Sequence, residues 1–158
     1  MDRGTEPGGD PIDALAAELR QSLGRVVRAV RREGDTMPPA HTASLGFLVR
    51  EGPLTIAELA RRRGVKHQGQ SRSVAELAAL GLVERAASEV DRRATVIRAS
   101  EAGRDALQQE MDARADWLAE AMRAELDDDE IALLTRLPEL FERLARHADR
   151  ALAHRQLT

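Results

Sequence analysis

"LTIAELARRRGVKHQGQSRSVAELAALG", Leu54 to Gly81, decides the fold. Thr55 stands three residues before Glu58. That is the spacing at which a hydroxyl and a carboxylate satisfy each other's orphan backbone donors at a helix start. Gly64 can close this short helix in a left-handed conformation. A second helix then begins near Lys66 and runs to Gly81, with Val74, Leu77 and Leu80 turned inward. Two short helices joined by a tight glycine turn make a helix-turn-helix, and the second is the candidate reading helix.

The periodicity changes after Gly81. "LVERA" and "ATVIRAS" alternate as strands do, with the polar "ASEVDRR" between them. An antiparallel hairpin beside the helix pair makes a winged helix. Upstream, Asp10 and Pro11 form a helix start, the acid as N-cap and the proline in the first turn. Ile12, Leu15, Leu19, Leu23, Val26 and Val30 then recur in steps of three and four. "MPPA" at 37–40 breaks that helix, and a short one follows through Leu45, Leu48 and Val49 to Gly52-Pro53.

Downstream, Ser100 caps a long helix with Leu107, Met111, Leu118 and Met122 along one side. Asp127 starts another, striped by Leu134, Leu137, Phe141, Leu144 and Ala148, in which Pro138 predicts a kink.

The expected organisation is therefore mainly α with a small β-wing. Residues 1–9 form a disordered tail, 10–35 an N-terminal dimerisation helix and 40–99 the winged helix-turn-helix. Residues 100–155 supply C-terminal dimerisation helices, the whole making one domain. Three flanking helices carry apolar seams that one chain has difficulty covering. A homodimer with interdigitated helices is the economical arrangement, and a monomeric bundle is the alternative.

Composition narrows the chemistry. The 158 residues contain no cysteine, which excludes disulfides, thiolate metal sites and thiol redox switches. No apolar run approaches the roughly 18 residues of a membrane span, and the first residues lack a secretory signal, so a cytoplasmic location is expected. Aromatic residues are 2% of the chain, too few to stack a single strand of bases. Formal net charge is -3 overall, yet residues 54–98 carry +4 between flanks of -1 and -6. The basic middle hints at a polyanionic partner such as nucleic acid, with uneven scatter of charge over helices as the plainer account. The reading helix and wing narrow that partner to double-stranded DNA.

The reading helix offers Gln68, Gln70, Ser71 and Arg72 over its first two turns, groups whose donors and acceptors match base edges. Lys66 and Arg61 to Arg63 are expected nearer phosphates. Arg92 and Arg93, after Asp91, fall at the wing tip, where a narrow minor groove attracts arginine. The plainer accounts are a solvated basic helix face for the first group and a surface ion-pair cluster of little energetic worth for the wing.

No catalytic residue, metal site or cofactor is expected. His147 and His154 lie seven residues apart with no carboxylate to complete a site. The acids at 127–130 need only the helix dipole. Phosphate loops, nucleophile elbows and zinc signatures are missing from the sequence.

Ser71-Arg72, "GLVER" at 81–85, "DRRA" at 91–94 and Ser100 before "EAG" together resemble the MarR family of winged helix-turn-helix regulators. The tail "LDDDEIALLTRLPELFERLA" resembles that family's final helix, so the likeness spans nearly everything beyond residue 10. It implies a homodimeric repressor on a pseudo-palindromic operator, with reading helices in successive major grooves. It also implies Arg92 in the minor groove, with Asp91 and Arg93 shaping the wing. A small, often aromatic effector is implied between the dimer helices and the winged domain, with candidate lining from the N-terminal helix, from His41 to Phe47 and from the start of the helix after Ser100. Two departures stand out: Val90 replaces the frequent proline of the wing, and Gly69 an otherwise bulkier polar residue. Two rivals remain: a winged-helix module for an acidic protein, and a small-molecule binder without specific DNA binding.

Overall fold

The computed structural model describes residues 10–87 and 94–156. Val90, Asp91, Arg92 and Arg93 fall outside the described residues, as does the expected disordered tail. The elements are α1 (Pro11–Gly34), α2 (Pro39–Glu51), α3 (Ile56–Arg63), α4 (His67–Ala79), β1 (Val83–Ala87), β2 (Thr95–Ala99), α5 (Glu101–Glu125), α6 (Asp128–Leu134) and α7 (Leu137–Gln156). They divide into two units, Met1–Trp117 and Leu118–Thr158. No helix among the described residues is long and apolar enough to cross a membrane.

In the first unit the helix boundaries follow from local chemistry. Asp10 accepts the Ile12 N–H at 2.9 Å and Pro11 opens α1. Thr55 and Glu58 form the reciprocal cap of α3. The Thr55 backbone N–H, then its hydroxyl, hold the Glu58 carboxyl below the usual range. Both turns of the helix pair end in the same way. Gly64 (φ 65°) donates to Arg61 and Val65 donates to Ala60. Gly81 (φ 71°) donates to Ala78 and Leu82 donates to Leu77. Each pair satisfies two carbonyls at a helix C-terminus and needs the left-handed residue that glycine supplies.

That second turn corrects one expectation. Leu80 is 63% exposed, because α4 has ended and the chain reverses through Gly81. Leu82, not Leu80, packs against the core beside Leu77.

The wing pairs β1 with β2 antiparallel, from Val83 opposite Ala99 to Ala87 opposite Thr95. Leu54 adds a single bridge to Ile97, exchanging backbone hydrogen bonds of 3.0 and 2.8 Å. Leu45, Leu59, Leu77 and Ile97 are fully covered where α2, α3, α4 and this sheet meet. Ser100 Oγ accepts the Gly103 N–H at 3.0 Å and donates to the Gly81 carbonyl at 2.7 Å, so the cap of α5 also grips the α4–β1 turn.

Much of α1 is apolar and uncovered within one chain: Ile12 is 70% exposed, and Leu19 and Leu23 are 40%. Its C-terminal end is covered, where buried Gly34 lies against the Arg114 backbone of α5.

In the second unit Asp127 and Glu130 cap α6 reciprocally at 2.9 and 3.0 Å. Pro138 does not kink one long helix, as expected from reading the apolar stripe straight through. The chain instead closes α6 at Leu134 and starts α7 at Leu137. Pro138 then occupies the first turn of α7, where a missing N–H costs nothing.

Candidate nucleic-acid interface

Helix α4 presents two unlike faces, and the helical period decides which residue lies on each. Gln70, Ser73, Val74 and Leu77 follow the i, i+3, i+4, i+7 rule and are all buried. Lys66, His67, Gln68 and Arg72 are exposed on the other side, and Ser71 is half-buried at their margin with Oγ 3.4 Å from His67 Nδ1. Lys66 has extended backbone and is the N-cap residue. Among the described residues neither Lys66 nor Arg61 has an ion-pair partner within 4 Å, and both are exposed.

Gln70 is therefore corrected. It is not on the outer face but fully buried, where its amide donates to Ser44 Oγ at 3.1 Å and its carbonyl accepts from Arg63 at 2.5 Å. Arg63 is corrected with it: the guanidinium turns inward and also donates to Ser44 Oγ at 2.9 Å. Burial pulls its pKa below the usual arginine range. Ser44 Oγ donates in turn to the Ala40 carbonyl at 2.7 Å. This polar knot ties α2, α3 and α4 together and sets how α4 stands on the domain. Arg62 pairs with Glu51 on α2, leaving Arg61 and Lys66 as exposed cations of this turn without an ion-pair partner among the described residues.

Arg72 is 83% exposed, and its Nε donates to Glu76 Oε1 at 2.9 Å. The hydrogen bond to Glu76 raises the Arg72 pKa further. Arg72 first, then His41, hold the Glu76 carboxyl below its ordinary range. The face thus offers a lysine, an amide, a hydroxyl and an arginine on one rigid helix, the groups that suit phosphates and base edges.

Sequence reasoning missed a second polar centre within the first unit. Glu110 of α5 is fully buried. One oxygen accepts the Thr36 and Met37 N–H groups at 2.8 and 3.1 Å and the Thr36 hydroxyl. The other accepts Arg114 at 2.9 Å and the Thr42 hydroxyl at 3.3 Å. Arg114 also bonds Asp35 at 2.8 Å. Its signal lay in spacing: Gly103, Leu107, Glu110 and Arg114 share one face of α5, whereas Met111, placed on the apolar stripe, is 38% exposed.

Among the described residues no three His, Asp or Glu side chains are grouped to hold a metal ion.

Known proteins share this arrangement. A family model described as MarR family matches residues 35–94. An HTH-type transcriptional regulator of Mycobacterium bovis is 32% identical over 110 residues, 68% of this chain and 77% of that relative. A solved transcriptional regulator of Pseudomonas aeruginosa superposes with TM-score 0.71 at 34% identity, covering 84% of this chain and 95% of that one. A MarR family protein of Bacillus stearothermophilus shares the fold, with TM-score 0.64 at 24% identity over 84% and 97% of the two chains. These relatives are regulators rather than enzymes, and the chain belongs to the MarR family of winged helix-turn-helix transcriptional regulators.

Proposed function

We propose that this regulator is a cytoplasmic homodimeric repressor that seats α4 of each subunit in the major groove of a pseudo-palindromic operator. The observation that carries the reading is the exposed row Lys66, Gln68 and Arg72 on a helix whose inner face is locked by Gln70, Arg63 and Ser44. A rigid helix lets a few side chains specify bases without first being ordered. Arg61 and Lys66 contact phosphates, Gln68, Ser71 and Arg72 contact base edges, and Arg92 enters the minor groove with Asp91 and Arg93 shaping the wing. The assignment of the wing residues rests on the family resemblance.

Pairing of subunits is supported by α1, whose Ile12, Leu15, Leu19 and Leu23 stay exposed in one chain. Water-exposed apolar rows of this length mark association surfaces. Sedimentation equilibrium is expected to give twice the mass of one chain, and Leu19→Glu to shift the protein toward monomer. A small aromatic effector releases DNA by binding the spacing of the two reading heads that does not fit the operator. Only that difference in affinity can do the work.

Two substitutions separate the roles on α4. Lys66→Ala weakens binding to all duplexes about equally and reduces the salt slope by about one. Arg72→Ala costs about 1–3 kcal/mol on the operator and relaxes preference at one position of each half-site. Fluorescence-anisotropy titrations of both variants check this. Equal affinity of wild type and both variants contradicts the placement of α4.

A further inference from the structure

Glu76 is the one acidic residue of α4, on the helix proposed to meet a polyanion. A carboxylate there repels phosphates, so its presence asks for a reason. Helix stability does not supply one. An exposed i, i+4 pair adds little to a helix, and the order with the cation first is the weaker one.

Geometry supplies a different reason. Glu76 Oε1 accepts from Arg72 Nε at 2.9 Å, and Oε2 lies 3.0 Å from His41 Nε2. The His41 side chain, on α2, is 7% exposed. Its Nδ1 is buried with no hydrogen-bond partner among the described residues, which matches a proton carried on Nε2 and donated to Glu76. The carboxylate is thus anchored to the core through one oxygen and holds Arg72 through the other. Taking Nε leaves both terminal guanidinium nitrogens of Arg72 without a hydrogen bond among the described residues. That terminal pair is the edge that matches O6 and N7 of guanine.

We propose that Glu76, anchored by His41, is a positioning residue that fixes Arg72 for bidentate recognition of a guanine in each operator half-site. This rests on the major-groove placement of α4 proposed above. A fixed guanidinium discriminates better than a mobile one, because the wrong base then faces donors that cannot re-aim. The acid lowers overall affinity and sharpens the choice of base.

The test is selection of duplexes with a randomised core by full-length wild type, Arg72→Ala, Glu76→Ala and His41→Phe, followed by anisotropy titration of the selected duplex and its single-base variants. Thermal melts of each protein verify folding. Wild type is expected to select guanine at one position per half-site, and Arg72→Ala to lose it. Glu76→Ala should bind an average duplex more tightly, having shed a negative charge, yet lose guanine preference by about fivefold or more. His41→Phe should lose the same preference without the general gain. Uniformly tighter binding by Glu76→Ala with guanine preference intact overturns the proposal and leaves Glu76 a bare charge. No selected motif with wild type, or a motif unchanged in Arg72→Ala, removes instead the major-groove reading beneath it.

Discussion

Glu110→Ala is expected to lower stability by about 3 kcal/mol. The substitution strips a fully buried carboxylate from the Thr36 and Met37 N–H groups, two hydroxyls and Arg114. Breaking a buried charged pair costs about 3–5 kcal/mol, mostly by leaving the partner unpaired. The lower end applies because Arg114 is 20% exposed and keeps Asp35. Chemical denaturation of wild type and variant at neutral pH measures the difference.

The same group gives a pH signature. Burial pushes the Glu110 carboxyl up, but the hydrogen bonds of Thr36 and Met37 and the charge of Arg114 outweigh it, so the folded pKa is depressed. A depressed carboxylate stabilises fully above its unfolded pKa, about 4.3, and that contribution shrinks as pH falls from there through the folded value. The lead of wild type over Glu110→Gln should be flat from pH 7 to about 5 and narrow below about 4.3. A lead unchanged down to pH 3 would show that Glu110 is not held as a carboxylate.

Gly103→Ala should also cost about 3 kcal/mol, the top of the usual overpacking range. A Cβ there would sit 1.9 Å from the Leu82 carbonyl oxygen and 3.2 Å from Leu45 Cδ2. The carbonyl cannot yield cheaply, because Ser100 N–H bonds it at 3.1 Å and Leu82 N–H is held by Leu77. An ordinary helical glycine gains nearly 1 kcal/mol on becoming alanine, and here the clash overrides that gain. For a chain of this size the cost corresponds to about 6–12 °C in Tm. Gly69 is the contrast, since no atom of the described residues stands within 4 Å of its added Cβ. The same change there should raise stability by about 0.5–1 kcal/mol. Thermal melts of the two variants moving in the same direction would contradict this account of Gly103.

What was legible in the sequence follows the range of each interaction. Asp10-Pro11, Thr55-Glu58, Gly64, Gly81 and Ser100 act on backbone within a few residues, and each acts as its local pattern predicts. The helix-turn-helix and the wing register follow from those boundaries. In the sequence Gln70 looks like a reading group, because it is an amide among exposed polar neighbours. Its burial depends on Ser44 and Arg63, 26 and 7 residues away. Its spacing of four and seven from Val74 and Leu77 is the sequence signal of that burial. Glu110 is hidden in the sequence for a related reason: its partners Thr36 and Met37 lie over 70 residues away, and an acid beside Met111 reads as solvent-facing. Pro138 misled because a continuous apolar stripe does not reveal that the helix restarts beneath it. The glycine of "EAG" was visible only as a resemblance, and the Leu82 carbonyl gives its physical reason.

Reading of duplex DNA by the outer face of α4 is the proposal on which the rest stands. It is tested most directly by fluorescence-anisotropy binding of the wild-type protein to the duplex upstream of its own gene and to a shuffled duplex, across a salt series. Tight binding to the first, at least a thousandfold over the second, with a steep fall in affinity as salt rises, is the predicted result. Equal, weak binding to the native duplex, the shuffled one and any duplex selected from a random library would contradict it.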